Sequence, residues 1–260
     1  MTPTIITRGI VPLCGLVLLS LSPSTAQADR RIFAQLYPYS TLPEGTKEVE
    51  HYLDASFDRA VDPDDVGGDE VLAISWKHQV EFEYGITDHW DFGIYQYFRQ
   101  DAFQSVEYRG TKLRTRYRFA EQGVLPIDLS AYLEVALLAD EIEIEERLIA
   151  AKILGPVELG LNLKVEQKLE PADGALEIEH ELIPLLGVGW HANERFAIGA
   201  EYMGEFAFHE GELETPVHYA GPAVSFAGRG FFWTRAAMPR IAGDADAASV
   251  QARSVLGVML

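Results

Sequence analysis

Apolar and polar residues alternate from Leu72 to Ile86 almost without a slip. Leu72, Ile74, Trp76, His78, Val80, Phe82, Tyr84 and Ile86 share one parity; Ala73, Ser75, Lys77, Gln79, Glu81, Glu83 and Gly85 share the other. A period of two is a β-strand with one apolar and one polar face. The run is about twice the length of a usual globular strand. It fits a tilted strand crossing a bilayer, which takes about 9–11 residues. The pattern recurs, and twelve segments read as strands: 46–57, 71–86, 90–100, 106–119, 126–138, 142–154, 156–169, 175–189, 195–207, 216–227, 230–239 and 249–260. No helical period of useful length separates them; Ala245 to Ala248 has room for one turn.

Tight connections alternate with loose ones. Gly85 to His89, Leu154-Gly155-Pro156, Trp190 to Glu194 and Ala227 to Gly230 are tight, whereas Asp58 to Glu70, Gln100 to Ser105, Glu170 to Gly174, Glu210 to Pro216 and Ile241 to Ala248 are looser. Two links depart from the rule: Leu138 to Glu141 is short and Ala120 to Leu125 is long. Short turns at one end and longer loops at the other predict an all-β fold, an antiparallel transmembrane β-barrel of about twelve strands, with the turns in the periplasm.

Alternation alone does not say which face meets lipid, because a soluble barrel turns its apolar parity inward. Three features place lipid outside. The apolar parity is large, as in Ile127, Leu129, Ala131, Leu133, Val135 and Leu137, or Val157, Leu159, Leu161, Leu163 and Val165. The opposite parity carries both signs of charge: Lys77, Glu81 and Glu83; Lys112, Arg114, Arg116 and Arg118; Glu134; Lys164 and Glu166; Glu177, Glu179 and Glu181. Those residues are the expected lining of a wet lumen. Aromatic residues gather near strand ends, with Tyr84, Trp90, Tyr117, Phe119, Trp190, Phe196 and Phe231 toward the periplasmic rim and Phe57, Phe98, Tyr108, Phe206, Phe208 and Tyr219 toward the outer rim. Such girdles are expected at lipid headgroups.

The first 28 residues read as a cleaved signal peptide: a basic Arg8, an apolar stretch from Ile10 to Leu21 and the small-x-small site Ala26-Gln27-Ala28. Residues 29–45 then form a periplasmic N-terminal segment and 46–260 the barrel. The single cysteine, Cys14, falls in the leader. The mature chain therefore has no disulfide, thiolate metal site or cysteine nucleophile. The formal net charge of −19 repels nucleic acid.

The opening Tyr39 to Glu50, the phrase Glu83-Tyr84-Gly85-Ile86-Thr87-Asp88, the turn Leu154-Gly155-Pro156, the run Gly221-Pro222-Ala223-Val224 and the aromatic run Phe231-Phe232-Trp233 together resemble an uncharacterised family of Gram-negative outer-membrane β-barrels. Its members are often labelled transporters, and the family is similar in style to barrels linked to aromatic-degradation operons. The resemblance implies a fold and an outer-membrane location. It implies no substrate, cofactor or catalytic residue.

The ladder Lys112, Arg114, Arg116 and Arg118 is the sharpest local feature. Residues two apart on a strand sit about 7 Å apart on one stripe. Such a stripe either faces acids across a pore and makes an electrostatic constriction, or pairs within the wall and fills the lumen. Candidate partners are Glu81 and Glu83, Asp128 and Glu134, and Glu177 to Glu181. The acidic loop Asp62 to Glu70 is a solvated loop or a weak divalent-cation site without calcium-loop spacing. The histidines form no H-x-x-x-H pair, and His78 and His180 fall on the lipid-facing parity. Ser75 and His78 lie on opposite parities, so no local nucleophile–base pair forms, and no G-x-S-x-G is present. The expectation is a narrow passive channel for a small solute, without cofactor. It would be in contact with outer-membrane lipid and lipopolysaccharide and inserted by the assembly machinery. A closed structural or loop-binding barrel, a lipid-modifying enzyme and a soluble ligand-binding barrel are the alternatives.

Overall fold

The computed structural model describes residues 31–63, 67–172, 175–209 and 211–260. The expected signal peptide 1–28, with Cys14, and the centre of the acidic loop, 64–66, lie outside the described residues.

The strands are β1 (Lys47–Ala60), β2 (Val71–Thr87), β3 (Trp90–Gln100), β4 (Glu107–Arg118), β5 (Asp128–Leu138), β6 (Ile142–Leu154), β7 (Val157–Ala172), β8 (Ala175–His191), β9 (Phe196–His209), β10 (Glu212–Leu213), β11 (Val217–Gly228), β12 (Phe231–Ala242) and β13 (Val250–Met259). Every pairing is antiparallel. The two-residue β10 folds back on β9 alone, and the other twelve close into a ring because β13 pairs with β1 and β8 with β9. Closure leaves no sheet edge among them, as a sheet surrounded by lipid requires. The chain enters β1 and leaves β13 at the same end of the ring, where Leu260 N–H donates to Lys47 O at 2.9 Å. That end, called lower here, carries the two-residue links at 88–89, 155–156 and 229–230.

The apolar parity faces outward. Val80, Phe82, Leu113, Leu133, Leu148, Leu161, Leu186, Val188 and Leu256 are exposed on the outer wall. Tyr84, Trp90, Tyr117, Phe119, Trp190 and Phe196 are exposed near the lower ends of their strands, and the Phe231 ring lies 5.9 Å from that of Phe226 there. One expected girdle member differs. Tyr219 is 1 % exposed and points inward, donating to Ala248 O at 3.1 Å. It sits near a strand end, but on the parity of the buried Val217 and Ala223, and parity decides the face. His78 is on the outer wall and stacks on His51, with ring centroids 5.9 Å apart.

The interior is not uniform. On β2 to β7 the inward side chains are mostly charged. β8, β9, β11 and β12 contribute a buried apolar cluster, Ile183, Leu185, Ala197, Met203, Val217, Ala223, Ala236 and Met238, although Glu177, Glu179 and Glu181 toward the top of β8 and Glu201 and Glu205 on β9 share the inward parity. Residues 31–42 differ from the expectation of a periplasmic segment, because they run inside the barrel, and only Pro43 to Gly45 are exposed at the lower end. Ile32, Phe33, Ala34 and Leu36 complete the apolar cluster, and Tyr37 and Tyr39 join a second one with Tyr52, Tyr95, Tyr132 and Phe232. Burial of that much apolar surface is what draws the segment in.

Candidate functional site

The charged wall pairs within itself. Arg114 is 1 % exposed. Its Nε donates to Glu81 at 2.6 Å from β2, and its other nitrogens pair with Glu83 and with Asp91 on β3. Arg116 joins the group, Nη2 to Asp91 at 2.7 Å. The next rung, Lys112, reaches Glu134 at 3.1 Å and Glu143 at 3.4 Å. Lys164 reaches Glu166 at 2.7 Å and Glu145 at 3.0 Å, and Glu145 also takes Arg147 Nε at 2.5 Å. Ladder and acids therefore meet along the wall, between strands close in the ring, rather than across an open pore. Removing one partner from such a buried network costs about 3–5 kcal/mol, because a charge is left uncompensated.

Not every predicted lining residue enters this network. Arg118 sits at the lower rim with the exposed Glu121 at 2.9 Å. Asp128 accepts Gly123 N–H at 2.6 Å. Glu179 lies at the upper rim, 3.7 Å from His209, and Glu177 is exposed near the top of β8. Lys77 and Glu181 line the upper cavity described below.

The N-terminal segment occupies the lower half of the lumen. Its contacts trace a loop. One arm rises from β1: Thr41 Oγ1 donates to Asp88 O at 2.6 Å, Leu42 N–H to Asp91 at 2.9 Å, and Arg116 Nη1 to Pro38 O at 3.3 Å. Asn162 on β7 clamps both main-chain groups of Tyr37, at 2.7 and 3.1 Å. At the crest, Glu201 on β9 accepts three successive N–H groups, from Ala34 at 2.8 Å, Gln35 at 2.7 Å and Leu36 at 3.3 Å. The second arm descends to Arg31, whose carbonyl accepts from Ser225 at 2.5 Å and Thr234 at 2.6 Å. The Arg31 guanidinium donates to Tyr52 at 2.9 Å and lies 3.4 Å from Glu50.

Two features of the wall accommodate this loop. Gly187 and Gly189 leave the space that Phe33 and Ile32 fill; a Cβ there would sit 2.7 Å from the Phe33 ring and 2.2 Å from Ile32 Cδ1. Guanidinium groups flank the Tyr37 ring, Arg147 at 4.4 Å and Arg31 at 4.7 Å from its centroid. Desolvated cation–π contacts of this kind contribute about 2 kcal/mol.

Above the loop lies a cavity of about 440 Å³ that reaches the upper rim. Gln35 at the loop's crest and Arg147 lie in its lining. Lys77, Arg99, Arg109 and Arg253 line it from β2, β3, β4 and β13; Glu166, Glu181 and Glu205 line it from β7, β8 and β9. At the rim, Arg109 hydrogen-bonds Asp140 and holds its carboxyl below the usual range. Burial beside Glu143 and Glu170 pushes Glu141 up to about 7.

Glu50, Glu81 and Glu83 bring carboxylate oxygens within 4.8 Å of one another, the only such trio among the described residues. Arg31, Arg114 and Tyr52 already meet their charge, so the donor set does not fit a metal ion. Ser75 Oγ accepts Ala102 N–H at 3.2 Å, while His78 is on the outer wall.

Sequence reading missed the segment and Glu201. Both left a trace. Residues 31–42 hold Ile32, Phe33, Leu36, Tyr37, Tyr39 and Leu42, too apolar for a free periplasmic tail. Glu201 is flanked on its parity by the small or apolar Ala197, Gly199 and Met203, and a buried carboxylate there needs donors from somewhere.

A closed twelve-stranded barrel with an apolar outer wall and a charged interior is the fold of outer-membrane β-barrels. The chain is similar to an outer membrane channel from Pseudomonas putida F1, with TM-score 0.63 and 11% identity over 87% of this chain and 100% of that one. It is more distantly similar to the toluene transporter TbuX of Ralstonia pickettii, with TM-score 0.40 and 11% identity over 84% and 90% of the two chains. No protein-family model matches the sequence. No curated protein matches it either.

Proposed function

We propose that the protein is a passive outer-membrane channel for small solutes whose resting state is closed by its own N-terminal segment. In this reading the lower end faces the periplasm, the aromatic residues there meet lipid headgroups, and the outer wall contacts outer-membrane lipid and lipopolysaccharide. One observation carries the reading: the cavity open to the upper rim ends on the crest of a non-covalently held loop, with Gln35 in its lining. Both arms of that loop descend to the lower end, so it withdraws toward the periplasm without breaking a strand pairing. A solute would then cross between the charged wall and the apolar wall, sorted by size and charge pattern rather than by chemistry.

The test is single-channel recording in planar bilayers with the chain from residue 29 onward and with a variant that lacks residues 29–42. The full mature chain should be silent or open briefly, and the shortened chain should give long-lived steps. Silence from the shortened chain, shown to be folded by its heat-modifiable migration, would mean that the wall side chains close the lumen. It would favour the reading as a structural or loop-binding barrel. Equal, steady conductance from both would show that the segment does not close the pore.

A further inference from the structure

The upper cavity holds charges that its walls leave unmatched, and what they would bind rests on the channel reading above. Most ionic groups there are satisfied locally: Arg253 by Asp54, Arg99 by Asp101, Lys164 by Glu166. Lys77 and Glu181 line the same cavity, and neither ion-pairs with a described residue; Lys168 on β7, which also lines it without an ion pair, stands among Glu166, Glu179 and Glu181 and offsets part of the charge on that side. The reasons lie in the register. Asp54, directly opposite Lys77, is taken by Arg253. Glu181 is directly opposite another acid, Glu166, whose charge Lys164 meets. Glu205 adds to the acidic side with only an amide partner, Gln251 at 3.2 Å.

These groups stand on opposite walls. In the closed ring, β2 and β8 are six places apart in either direction, so Lys77 and Glu181 project from facing strands. On the acidic side, Ile183, Leu185 and Met203 line the same cavity. The site thus offers a lone cation on one wall, a wall opposite on which the carboxylates Glu166, Glu170, Glu181 and Glu205 outnumber Lys164 and Lys168, and an apolar patch beside Glu181 and Glu205. An ion of one sign would meet one of these walls and confront a like charge on the other. A dipolar molecule meets both, and complementarity of this kind sets specificity.

We propose that this cavity binds a small aliphatic zwitterion of the α-amino-acid type, with its carboxylate toward Lys77, its ammonium toward Glu181 and Glu205, and its side chain on Ile183, Leu185 and Met203. The volume of about 440 Å³ holds such a molecule together with the waters that complete the shells of its charged ends. Nothing in this needs the lumen to be open below, because the cavity reaches the upper rim while the segment is in place.

The test is isothermal titration calorimetry of the folded mature protein in detergent with three probes: L-leucine, 4-methylpentanoate, which lacks the ammonium, and 3-methylbutylamine, which lacks the carboxylate. L-leucine should bind, and each single-charge probe should bind about tenfold more weakly or worse, the usual penalty for a lost charge-assisted contact. Lys77→Gln and Glu181→Gln should each weaken L-leucine by about tenfold. Neither side chain has an ion-pair partner to lose, so folding should not change; heat-modifiable migration checks it. Equal binding of all three probes, no heat from L-leucine at tens of millimolar, or unchanged affinity in both variants would overturn the proposal. The assay reads binding and not conduction. Its failure leaves the bilayer result on the shortened chain standing, and the reverse holds as well.

Discussion

The two halves of the lumen solve the same packing problem in different ways. On β2 to β7 the inward parity is charged, and Arg114, Arg116, Lys112 and Lys164 are held by acids along the wall. On β8, β9, β11 and β12 small and apolar side chains form the inward surface around the N-terminal segment, and Ile32, Phe33 and Leu36 cover it, with acids confined to Glu201 under the segment and to the upper ends of β8 and β9. The first wall is complete in itself. The second needs the segment, and the segment needs the second wall, because Glu201 is the acceptor for its crest. On the proposed reading, strength of the barrel and closure of the lumen fall to different residues, and substitutions on the two walls should have different signatures.

Arg114→Ala should have the largest effect. It leaves Glu81, Glu83 and Asp91 buried with less compensation, and the barrel should lose about 3–5 kcal/mol, read as a lower urea midpoint in lipid vesicles. An unchanged midpoint would break the assignment of strength to this wall. Glu201→Ala comes next. It strands three buried N–H groups, each worth about 1–3 kcal/mol when unsatisfied and not additive. Its effect should fall on the segment: bilayer open probability should rise by tenfold or more while the urea midpoint barely moves. A fall in midpoint comparable to that of Arg114→Ala would erase the distinction between the walls.

Gly187→Val should act in the same direction by a steric route. The added side chain drives into the Phe33 ring, at a cost of about 1–3 kcal/mol for overpacking, and the channel should open more often without loss of barrel stability. Thr234→Val should be smaller still. Ser225 continues to serve the Arg31 carbonyl, so about 1 kcal/mol is lost and open probability should shift only a few-fold. At the upper rim, Glu141 gives the mildest effect. Its carboxyl is raised to about 7 from 4.5, so the folded state holds its proton more tightly than the unfolded chain. Its contribution to stability is present in full below about 4.5 and is lost as pH rises through about 7. Glu141→Gln should flatten the stability profile over that interval; an identical slope in the variant would place the titration elsewhere.

The charged wall was the legible half. Strict alternation gave β3 and β6 their full extents, 90–100 and 142–154, and named every member of the Arg114 cluster except Asp91. Among the candidate partners, Glu81, Glu83 and Glu134 do take the ladder and Asp128 and Glu177 to Glu181 do not; the choice among them was not legible, because it depends on register between strands and on nothing local. The apolar wall was harder. On β11 and β12 both parities are apolar or small, so the inward face of Val217, Ala223, Ala236 and Met238 carries no contrast with the outward one. Tyr219 was misplaced for that reason. The segment itself has no periodicity to read. Its location follows from contacts made far along the chain, such as Ala34 with Glu201, 167 residues apart.

The most direct measurement is hydrogen exchange, followed by mass spectrometry, on the folded mature protein, comparing the peptide that spans residues 31–42 with one from β1. If the segment is docked on Glu201, Asn162 and Asp91, its amides should be protected to the same order as those of the strand, and Glu201→Ala should release them selectively. Complete exchange of residues 31–42 at the earliest time points, with β1 still protected, would contradict closure of the lumen by this segment.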